Sequence, residues 1–353
     1  MINRKKTKPI TVRNVTIGGL NPVVIQSMTN TRAHDFQACV DQIKRLQEAG
    51  CSVVRLAVPD MEAVEVFKRI RKAIDFPLVA DIHFDHRLAI EAIKAGADKI
   101  RINPGNIGSK ERVLQVIKEA KSAHIPIRIG VNSGSLQKSL LNKYGKVTPE
   151  ALVESALGYI AFFEENDFSN IIVSIKASDV VTAVQACTLL AQKSDVAQHI
   201  GITESGTIRS GTIRSSVGIG HLLAMGIGDT IRVSLSGDPV EEIYVAKEIL
   251  KSLDLHKGSV VIACPTCGRT NIDVSDLASK VETLVYKLNS PVKIAVMGCV
   301  VNGPGEARDA DIGIAGGRGE GLIFSKGQPI KKVPEDQLLP ALEEQIKIWI
   351  ENN

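Results

Sequence analysis

Short apolar runs alternate with amphipathic segments along most of the chain. The apolar runs, which predict strands, lie at residues 23–28, 53–58, 78–83, 99–103, 125–132, 171–176, 199–204 and 230–234. The segments with helical periodicity follow them at 35–49, 61–74, 87–95, 110–123, 149–166, 178–193, 213–225 and 239–253. Strands that alternate with helices pair in parallel, and eight such units in roughly 250 residues are typical of a (β/α)8 barrel. The pattern therefore predicts an α/β fold with a TIM-type barrel over residues 1–254.

An open doubly wound sheet is the alternative arrangement of the same units. Dinucleotide-binding folds of that kind carry a G-x-G-x-x-G sequence at the start of the first helix. No such motif begins the segment at 35–49. The number of units also favours a closed barrel.

A shorter pattern follows the connector at 254–259 and predicts a small α+β domain over residues 259–353. It comprises strands at 260–263 and 292–297, a helix at 275–288, a glycine-rich segment at 312–321, a hairpin at 322–330 and a last helix at 334–351. Residues 316–321 are rich in glycine, as phosphate loops are, but no G-K-[ST] follows them. We interpret them as a mobile turn.

Polar residues stand near the C-terminal ends of nearly all the predicted barrel strands. They are Gln26, Arg55, Asp81, His83, Arg101, Asn103, Arg128, Asn132, Lys176, Glu204, Arg232 and Ser234. In a TIM-type barrel these strand ends line the active site. Any one of them could be a satisfied core group, but a whole ring is hard to explain as structure, because each buried charge needs a partner. The ring predicts a ligand site.

The cations of this ring indicate the ligand class. Arginine matches phosphate oxygens in bidentate geometry, and the ring holds Arg55, Arg101, Arg128, Lys176 and Arg232. Five cations are more than one carboxylate or monophosphate needs, so we expect a diphosphate. Asn103, Asn132 and Ser234 would serve as neutral donors. Glu204 and Asp81 are the candidate acids and bases. A Schiff-base role for Lys176, as in barrel aldolases, is the rival interpretation.

Composition excludes several classes of protein. The chain has 353 residues and a net charge of +4, without the interleaved basic and aromatic residues typical of nucleic-acid binding. No apolar run approaches the roughly 20 residues that span a bilayer, and no secretory signal follows the basic N-terminus. We therefore expect a cytoplasmic protein with reduced thiols. Cys39, Cys51 and Cys187 lie in apolar contexts and are interpreted as core residues.

The remaining thiols predict a metal site. Cys264 and Cys267 form a C-x-x-C motif, Cys299 follows another apolar run, and Glu306 follows a Gly-Pro-Gly turn. Three thiolates and one carboxylate are enough to close a metal site, and thiolates select zinc, Cu(I) or iron–sulfur clusters. A pair of buried structural cysteines beside an ordinary turn is the alternative.

These motifs resemble a known family. The sequences at 264–267 (CPTC), 298–306 (GCVVNGPGE), 201–204 (GITE) and 233–235 (VSL), with Asp238 and Pro239, are similar to those of 4-hydroxy-3-methylbut-2-enyl diphosphate synthases, the IspG or GcpE family. The similarity extends over nearly the whole chain. No third domain lies between barrel and cysteine motif, so the chain resembles the short form of this family.

The resemblance implies a function and a set of site residues. It implies a homodimer in which a barrel and an iron–sulfur domain share the site, with a 4Fe–4S cluster on Cys264, Cys267, Cys299 and Glu306. The implied reaction is reductive ring opening and dehydroxylation of 2-C-methyl-D-erythritol 2,4-cyclodiphosphate in the non-mevalonate isoprenoid pathway. A flavodoxin or ferredoxin would supply the electrons. The resemblance places the arginines, Asn103, Asn132, Lys176 and Ser234 on the diphosphate and Glu204 in acid–base catalysis.

Two other functional classes remain open. A non-redox hydro-lyase would use an open iron and would turn over without a reductant. A phosphate-binding protein with a structural zinc site would be colourless and would have no redox chemistry.

Overall fold

The computed structural model describes residues 2–286, 290–299 and 307–352, and the chain divides into two compact units, Met1–His256 and Lys257–Asn353. The strands of the first unit are β1 (Ile10–Val12), β2 (Val15–Ile17), β3 (Val24–Met28), β4 (Val53–Ala57), β5 (Leu78–Asp81), β6 (Lys99–Ile102), β7 (Ile127–Asn132), β8 (Ile171–Lys176), β9 (Ala197–Ile200) and β10 (Thr230–Ile231). Its helices are α1 (Phe36–Glu48), α2 (Met61–Ala73), α3 (His86–Lys94), α4 (Pro104–Ile107), α5 (Lys110–Ser122), α6 (Lys138–Tyr144), α7 (Pro149–Glu164), α8 (Val180–Lys193), α9 (Ile208–Ala224) and α10 (Pro239–Lys251).

Eight parallel strands of this unit close into a barrel. The order is β10-β3-β4-β5-β6-β7-β8-β9, and every neighbouring pair is parallel. Helices follow each strand, so the predicted TIM-type barrel is confirmed.

Aspartates begin many of the helices that leave the C-terminal ends of the strands. The side chains of Asp35, Asp60, Asp85, Asp179 and Asp238 each accept a hydrogen bond from a backbone N–H of the first turn. Such a cap satisfies an otherwise unpaired donor and contributes about 1 kcal/mol. The caps therefore define where these five loops at the C-terminal face end.

The two faces of each barrel strand have different environments. Outward residues such as Leu78 and Ala80 pack against the helices in the main apolar core. Inward residues near the N-terminal ends form a separate apolar floor with the β1–β2 hairpin, and this floor includes Val24, Val53, Val79, Ile172 and Ala197. Because side chains alternate along a strand, the polar residues Asp81, Arg101, Lys176 and their counterparts on the other strands lie on the same inward face.

Several local predictions were wrong. The last two strands end at Ile200 and Ile231, so residues 201–204 and 232–234 lie in loops. Helix α9 begins five residues earlier than predicted and continues through Gly211, where a Cβ would lie 2.6 Å from Leu235 Cδ2. Glycine here serves close packing and does not break the helix. The β1–β2 hairpin and the short helices α4 and α6 were not predicted.

The second unit is a mixed sheet with two helices. Its elements are β11 (Val260–Ala263), α11 (Val274–Tyr286), β12 (Lys293–Met297), β13 (Ile312–Gly316), β14 (Glu320–Ser325), β15 (Gln328–Pro334) and α12 (Leu338–Glu351). The strand order is β11 to β15 in sequence, with the first three strands parallel and the last two antiparallel to their neighbours. The apolar faces of both helices join one core with the sheet. The segment at 312–321 is largely strand, because only residues 317–319 lie between β13 and β14.

Burial agrees with the interpretation of three cysteines as core residues. Cys39, Cys51 and Cys187 are buried, and burial raises the pKa of the last two thiols to about 12. In the part of the chain that the structure describes, no helix has the length and apolar character needed to cross a membrane.

Candidate active site in the barrel and candidate metal centre

Asp81 lies at the centre of the inward-facing charges. It accepts a hydrogen bond from Arg101 Nη1 at 3.0 Å and lies 3.5 Å from Arg55 Nε. Burial by itself would raise the pKa of this carboxyl, but Arg55 and Arg101 outweigh it and lower the pKa to about 2. Asp81 is therefore an ionised anchor that orients two arginines, and it is not poised to exchange protons near neutral pH.

Arg232 is held by a carboxylate that the sequence analysis missed. Glu242 on α10 accepts from Arg232 Nε at 3.2 Å and Nη2 at 3.1 Å, and from Ser27 Oγ at 2.7 Å. Glu242 is buried, on the face of α10 that also buries Ile243 and Ala246. The sequence signal that could have identified Glu242 is an acidic residue at a helix position where the periodic pattern requires an apolar one.

Arg128 and Lys176 are the cations left for a ligand. No carboxylate of the described residues lies within ion-pair distance of either. Arg128 Nε and Nη1 and Arg101 Nε are buried without a hydrogen-bond partner among those residues. Unpaired buried donors are costly, and an anionic oxygen would satisfy them. Burial, then Arg128 and Arg232, lower the pKa of Lys176 well below its usual value.

Gly130 leaves the space that Arg101 occupies. A Cβ on this glycine would lie 3.0 Å from Arg101 Nη2 and 3.1 Å from its Nε. Gly201 has a comparable role beside Lys176, because a Cβ there would lie 3.3 Å from Nζ and 2.4 Å from the carbonyl oxygen of Arg232. Both positions must lack a side chain for the cations to converge on the barrel interior.

The other predicted residues of the barrel lie at or beyond the strand ends. His83 is exposed, with Nε2 3.4 Å from Arg101 Nη1. Asn103 caps α4 through Oδ1 and donates from Nδ2 to Ser135 Oγ, so its side chain already has local partners. Glu204 is exposed and has a φ of 53°, a left-handed conformation that costs energy for a non-glycine residue. Such strain is typical of functional loops.

Asn132 and Ser234 complete the predicted set. Asn132 ends β7 in register with Lys176 on β8, so these two side chains lie on the same face of neighbouring strands. Ser234 follows β10, two residues after Arg232, and is half-buried. The structure thus gathers the predicted cations around Asp81 and Arg128, and the neutral donors end or follow the strands that carry these cations.

The thiols of the second unit lie at the ends of neighbouring parallel strands. Cys264 follows β11, and its N–H donates to the carbonyl of Val296 on β12 at 3.1 Å. Gly298 N donates to Cys264 Sγ at 3.1 Å, and Asn271 N donates to the Gly298 carbonyl at 2.9 Å. Backbone donors to sulfur are typical of the surroundings of cluster-bound cysteine. The segment after β12 that carries Cys299 is therefore bonded to the loop that carries the C-x-x-C motif.

The chemistry of these thiols fits a soft metal centre. Backbone and side-chain hydrogen bonds from Arg269 lower the pKa of the exposed Cys267, which favours the thiolate that binds metal. Among the described residues, however, no three metal-binding side chains gather closely enough to hold an ion. The fourth predicted ligand, Glu306, lies outside the described residues.

The fold and the site define a class: a TIM-type barrel with a cluster of cations towards the C-terminal ends of its strands, joined to a smaller domain with a cysteine loop. The chain belongs to the GcpE family. Residues 7–247 match the GcpE TIM-barrel domain, and residues 260–348 match the GcpE protein C-terminal domain.

Curated relatives agree with this assignment. Proteins named 4-hydroxy-3-methylbut-2-en-1-yl diphosphate synthase (flavodoxin) from Halalkalibacterium halodurans and Geobacillus thermodenitrificans are each 56% identical, over 98% of this chain and 94% and 93% of theirs. One of the same name from Caldanaerobacter subterraneus is 57% identical, over 98% of this chain and 97% of that one. A solved structure, 7,8-dihydropteroate synthase from Vibrio fischeri, has 14% identity and a TM-score of 0.49 over 70% of this chain and 98% of that one.

Proposed function

We propose that this chain converts 2-C-methyl-D-erythritol 2,4-cyclodiphosphate to 4-hydroxy-3-methylbut-2-enyl diphosphate in the non-mevalonate isoprenoid pathway. It is an iron–sulfur oxidoreductase of the GcpE family. Flavodoxin, the donor in the names of the curated relatives, or ferredoxin supplies the electrons. The observation that carries the proposal is the cluster of inward cations whose buried donors lack partners. A cytoplasmic location, where thiols stay reduced, is part of the proposal.

The barrel binds the diphosphate through its unpaired donors. Arg128 and Lys176 approach the phosphate oxygens, and Arg101 contributes its free Nε. Asp81 and Glu242 hold Arg55, Arg101 and Arg232 in place, so little side-chain entropy is lost on binding. Asn103, Asn132, His83 and Ser234 contact the ligand from the rim.

The overall reaction requires electrons and a proton. Ring opening breaks the carbon–oxygen bond to one phosphate, and the hydroxyl group departs as water, so two electrons and one proton are consumed per product. Glu204 is the proposed proton carrier, because it is an exposed carboxylate on the loop that follows β9. Asp81, with a pKa of about 2, cannot supply a proton near pH 7.

Cys264, Cys267, Cys299 and Glu306 are the proposed ligands of a 4Fe–4S cluster. When bound, the cluster supplies electrons and, at the iron held by the carboxylate, a Lewis acid. Strands β11 and β12 end side by side. This places the loop that carries Cys264 and Cys267 next to the segment that carries Cys299.

The experiment that tests the function is an anaerobic conversion assay on iron-loaded protein. The cyclic diphosphate is supplied with and without reduced flavodoxin, and the products are identified by mass spectrometry. Conversion to the hydroxymethylbutenyl diphosphate only with the reductant is expected. Turnover without reductant would indicate a hydro-lyase, and a colourless zinc protein without turnover would indicate a phosphate-binding protein.

The first site prediction concerns Arg101. Arg101→Ala removes one charge-assisted bond to the ligand and should weaken binding of the cyclic diphosphate by about 1.5–3 kcal/mol. Asp81 keeps Arg55 as a partner, so the fold should persist. Isothermal titration calorimetry measures the change, with Arg87→Ala as control, since Arg87 is exposed and pairs only with Asp85 among the described residues. Equal affinities for both variants would remove Arg101 from the site.

The proposal includes a homodimer in which each barrel uses the cluster of the other chain. Helix α10 runs antiparallel to β10, so it ends at the N-terminal face, away from Arg101 and Glu204. Leu253 and Leu255 pack against the barrel core and hold the chain there. Only residues 256–259 then remain before β11 at Val260, and four residues span at most about 14 Å. A two-fold pair would let each small unit reach the partner's barrel without a long linker.

Mixing two inactive variants tests this arrangement. Glu204→Gln damages only the barrel, and Cys264→Ser damages only the metal centre. A mixed dimer therefore contains one intact barrel that faces the intact metal centre of the other chain. Activity should partly return when subunits exchange, and each variant alone is the control. Verified mixed dimers without activity would show that each chain uses its own metal centre.

A further inference from the structure

A second polar layer lies inside the barrel, below the residues assigned to the diphosphate. Lys99 precedes Arg101 by two positions on β6, so its side chain shares the inward face about 7 Å deeper. It is fully buried, and its Nζ donates to Gln26 Oε1 at 3.0 Å. His199 on β9 is also fully buried, with Nδ1 3.4 Å from Thr230 Oγ1. The function proposed above uses neither residue.

The surroundings of Lys99 are rich in positive charge. The titratable groups that face the barrel interior around it are Arg55, Asp81, Arg101, Arg128, Lys176 and His199, and the ion pair of Arg232 with Glu242 on α10 follows the end of β10. Both carboxylates are engaged by arginines, so neither forms an ion pair with Lys99 among the described residues. Burial, then Arg128 and Arg55, lower the pKa of Lys99 well below its usual value. The amine can donate its hydrogen bond to Gln26 in either protonation state.

We propose that Lys99 is a further determinant of anion affinity: it is uncharged in the free protein and gains a proton when the diphosphate occupies the site above it. The proposal rests on the diphosphate site proposed above. A bound anion offsets the positive charge that disfavours the ammonium form, and the effect is strong because the interior screens charge poorly. Lys99 need not touch the ligand. Its positive charge attracts the anion electrostatically across one layer of side chains, and this attraction strengthens binding.

The proposal fixes the sign of the pH dependence. The bound ligand raises the pKa of Lys99 above its value in the free protein. The contribution to affinity is therefore complete below the free-state pKa and is lost as the pH rises through the bound-state pKa. Between the two, affinity falls about tenfold per pH unit for one proton taken up. Lys176 and His199 are also buried and cationic when protonated, so they add to the total, and only a variant can isolate the share of Lys99.

The cyclic diphosphate is a suitable probe, because it does not titrate near neutral pH itself. Each of its phosphorus atoms carries a single acidic oxygen, which is already ionised. Any proton taken up on binding therefore goes to the protein. Inorganic diphosphate, which has weakly acidic groups, would confuse the measurement.

Calorimetry on the anaerobic holoenzyme without reductant measures the proton uptake. The ligand is titrated in several buffers of the same pH and different ionisation enthalpy, and the slope of observed against buffer enthalpy gives the number of protons. The wild type should show net uptake. Lys99→Met should lose part of that uptake, bind more weakly and show a shallower pH dependence. Ser174→Ala is the control, because Ser174 is buried on the inward face of β8 and has no titratable group.

The outcomes separate this proposal from the function on which it rests. Equal proton uptake by the wild type and Lys99→Met, with tight binding in both, would overturn the role of Lys99 and leave the diphosphate site standing. Failure of the wild type to bind the cyclic diphosphate would overturn the proposed function and this inference with it. If Lys99→Met does not fold, as judged by thermal unfolding, Lys99→Gln replaces it, and the same loss of uptake is expected.

Discussion

Replacement of Cys267 by serine should abolish both the colour and the activity of the anaerobically purified protein. Cys267 is the most exposed of the three predicted thiol ligands, and its lowered pKa favours the thiolate that binds metal. A serine hydroxyl is a far poorer ligand for iron, so the cluster should be lost or fall apart rapidly. The visible absorption spectrum and the iron content measure the first effect, and the conversion assay measures the second.

The control for this experiment is another cysteine of the same chain. Cys39→Ala removes a buried thiol of the barrel that contacts Thr31 and has no predicted role in metal binding. This variant should keep its colour. Full activity of Cys267→Ser with bound zinc and no iron would contradict the assignment of an iron–sulfur centre.

Replacement of Glu204 by glutamine should leave the cluster spectrum and ligand binding intact and reduce turnover about 100-fold or more, the usual contribution of a general acid. Glutamine preserves the size of the side chain but cannot release a proton. Glu204 lies after β9 in the first unit, whereas all the predicted metal ligands belong to the second. The rate is measured at saturating ligand with a chemical reductant, so that effects on donor docking are excluded.

A matched control distinguishes proton transfer from a general charge effect. Glu241→Gln removes an exposed carboxylate from the first turn of α10 and should turn over normally. Normal turnover by Glu204→Gln would assign the proton to another group. Loss of its cluster spectrum would instead place Glu204 in the metal centre.

Periodicity alone predicts the barrel, because each strand is buried on both sides and each helix on one. The outward residues of β5, Leu78 and Ala80, are apolar as a helix-covered face requires. The inward residues change from Val79 at the floor to Asp81 at the open end. This change from apolar to charged along one face of a strand is the pattern from which the sequence predicts a ligand site.

Groups that act through packing were harder to predict. Glu242 lies on the buried face of a helix that is otherwise apolar there, and its contact with Arg232 forms only when α10 folds back beside the loop that follows β10. Lys99 belongs to an apolar run, and its burial depends on strands that close the barrel from both sides. The β1–β2 hairpin has strands of three residues, too short for alternation to be a signal.

The ends of β9 and β10 show a different limit of sequence reasoning. The apolar pattern continues through Ile202 and Val233, but the ladder of hydrogen-bonded strands stops at Ile200 and Ile231. Gly201 approaches the carbonyl of Arg232 too closely for a side chain, and Glu204 adopts a positive φ. Hydrophobicity records burial, and Ile202 and Val233 are buried in apolar clusters without belonging to the sheet.

Electron counting with a limiting amount of donor tests the central claim most directly. A known amount of reduced flavodoxin is mixed anaerobically with iron-loaded protein and excess cyclic diphosphate, and the oxidised donor and the product are quantified together. The account predicts two electrons consumed for each molecule of 4-hydroxy-3-methylbut-2-enyl diphosphate formed, and no product without the donor. Loss of the cyclic diphosphate with no consumption of electrons would contradict a reductive ring opening.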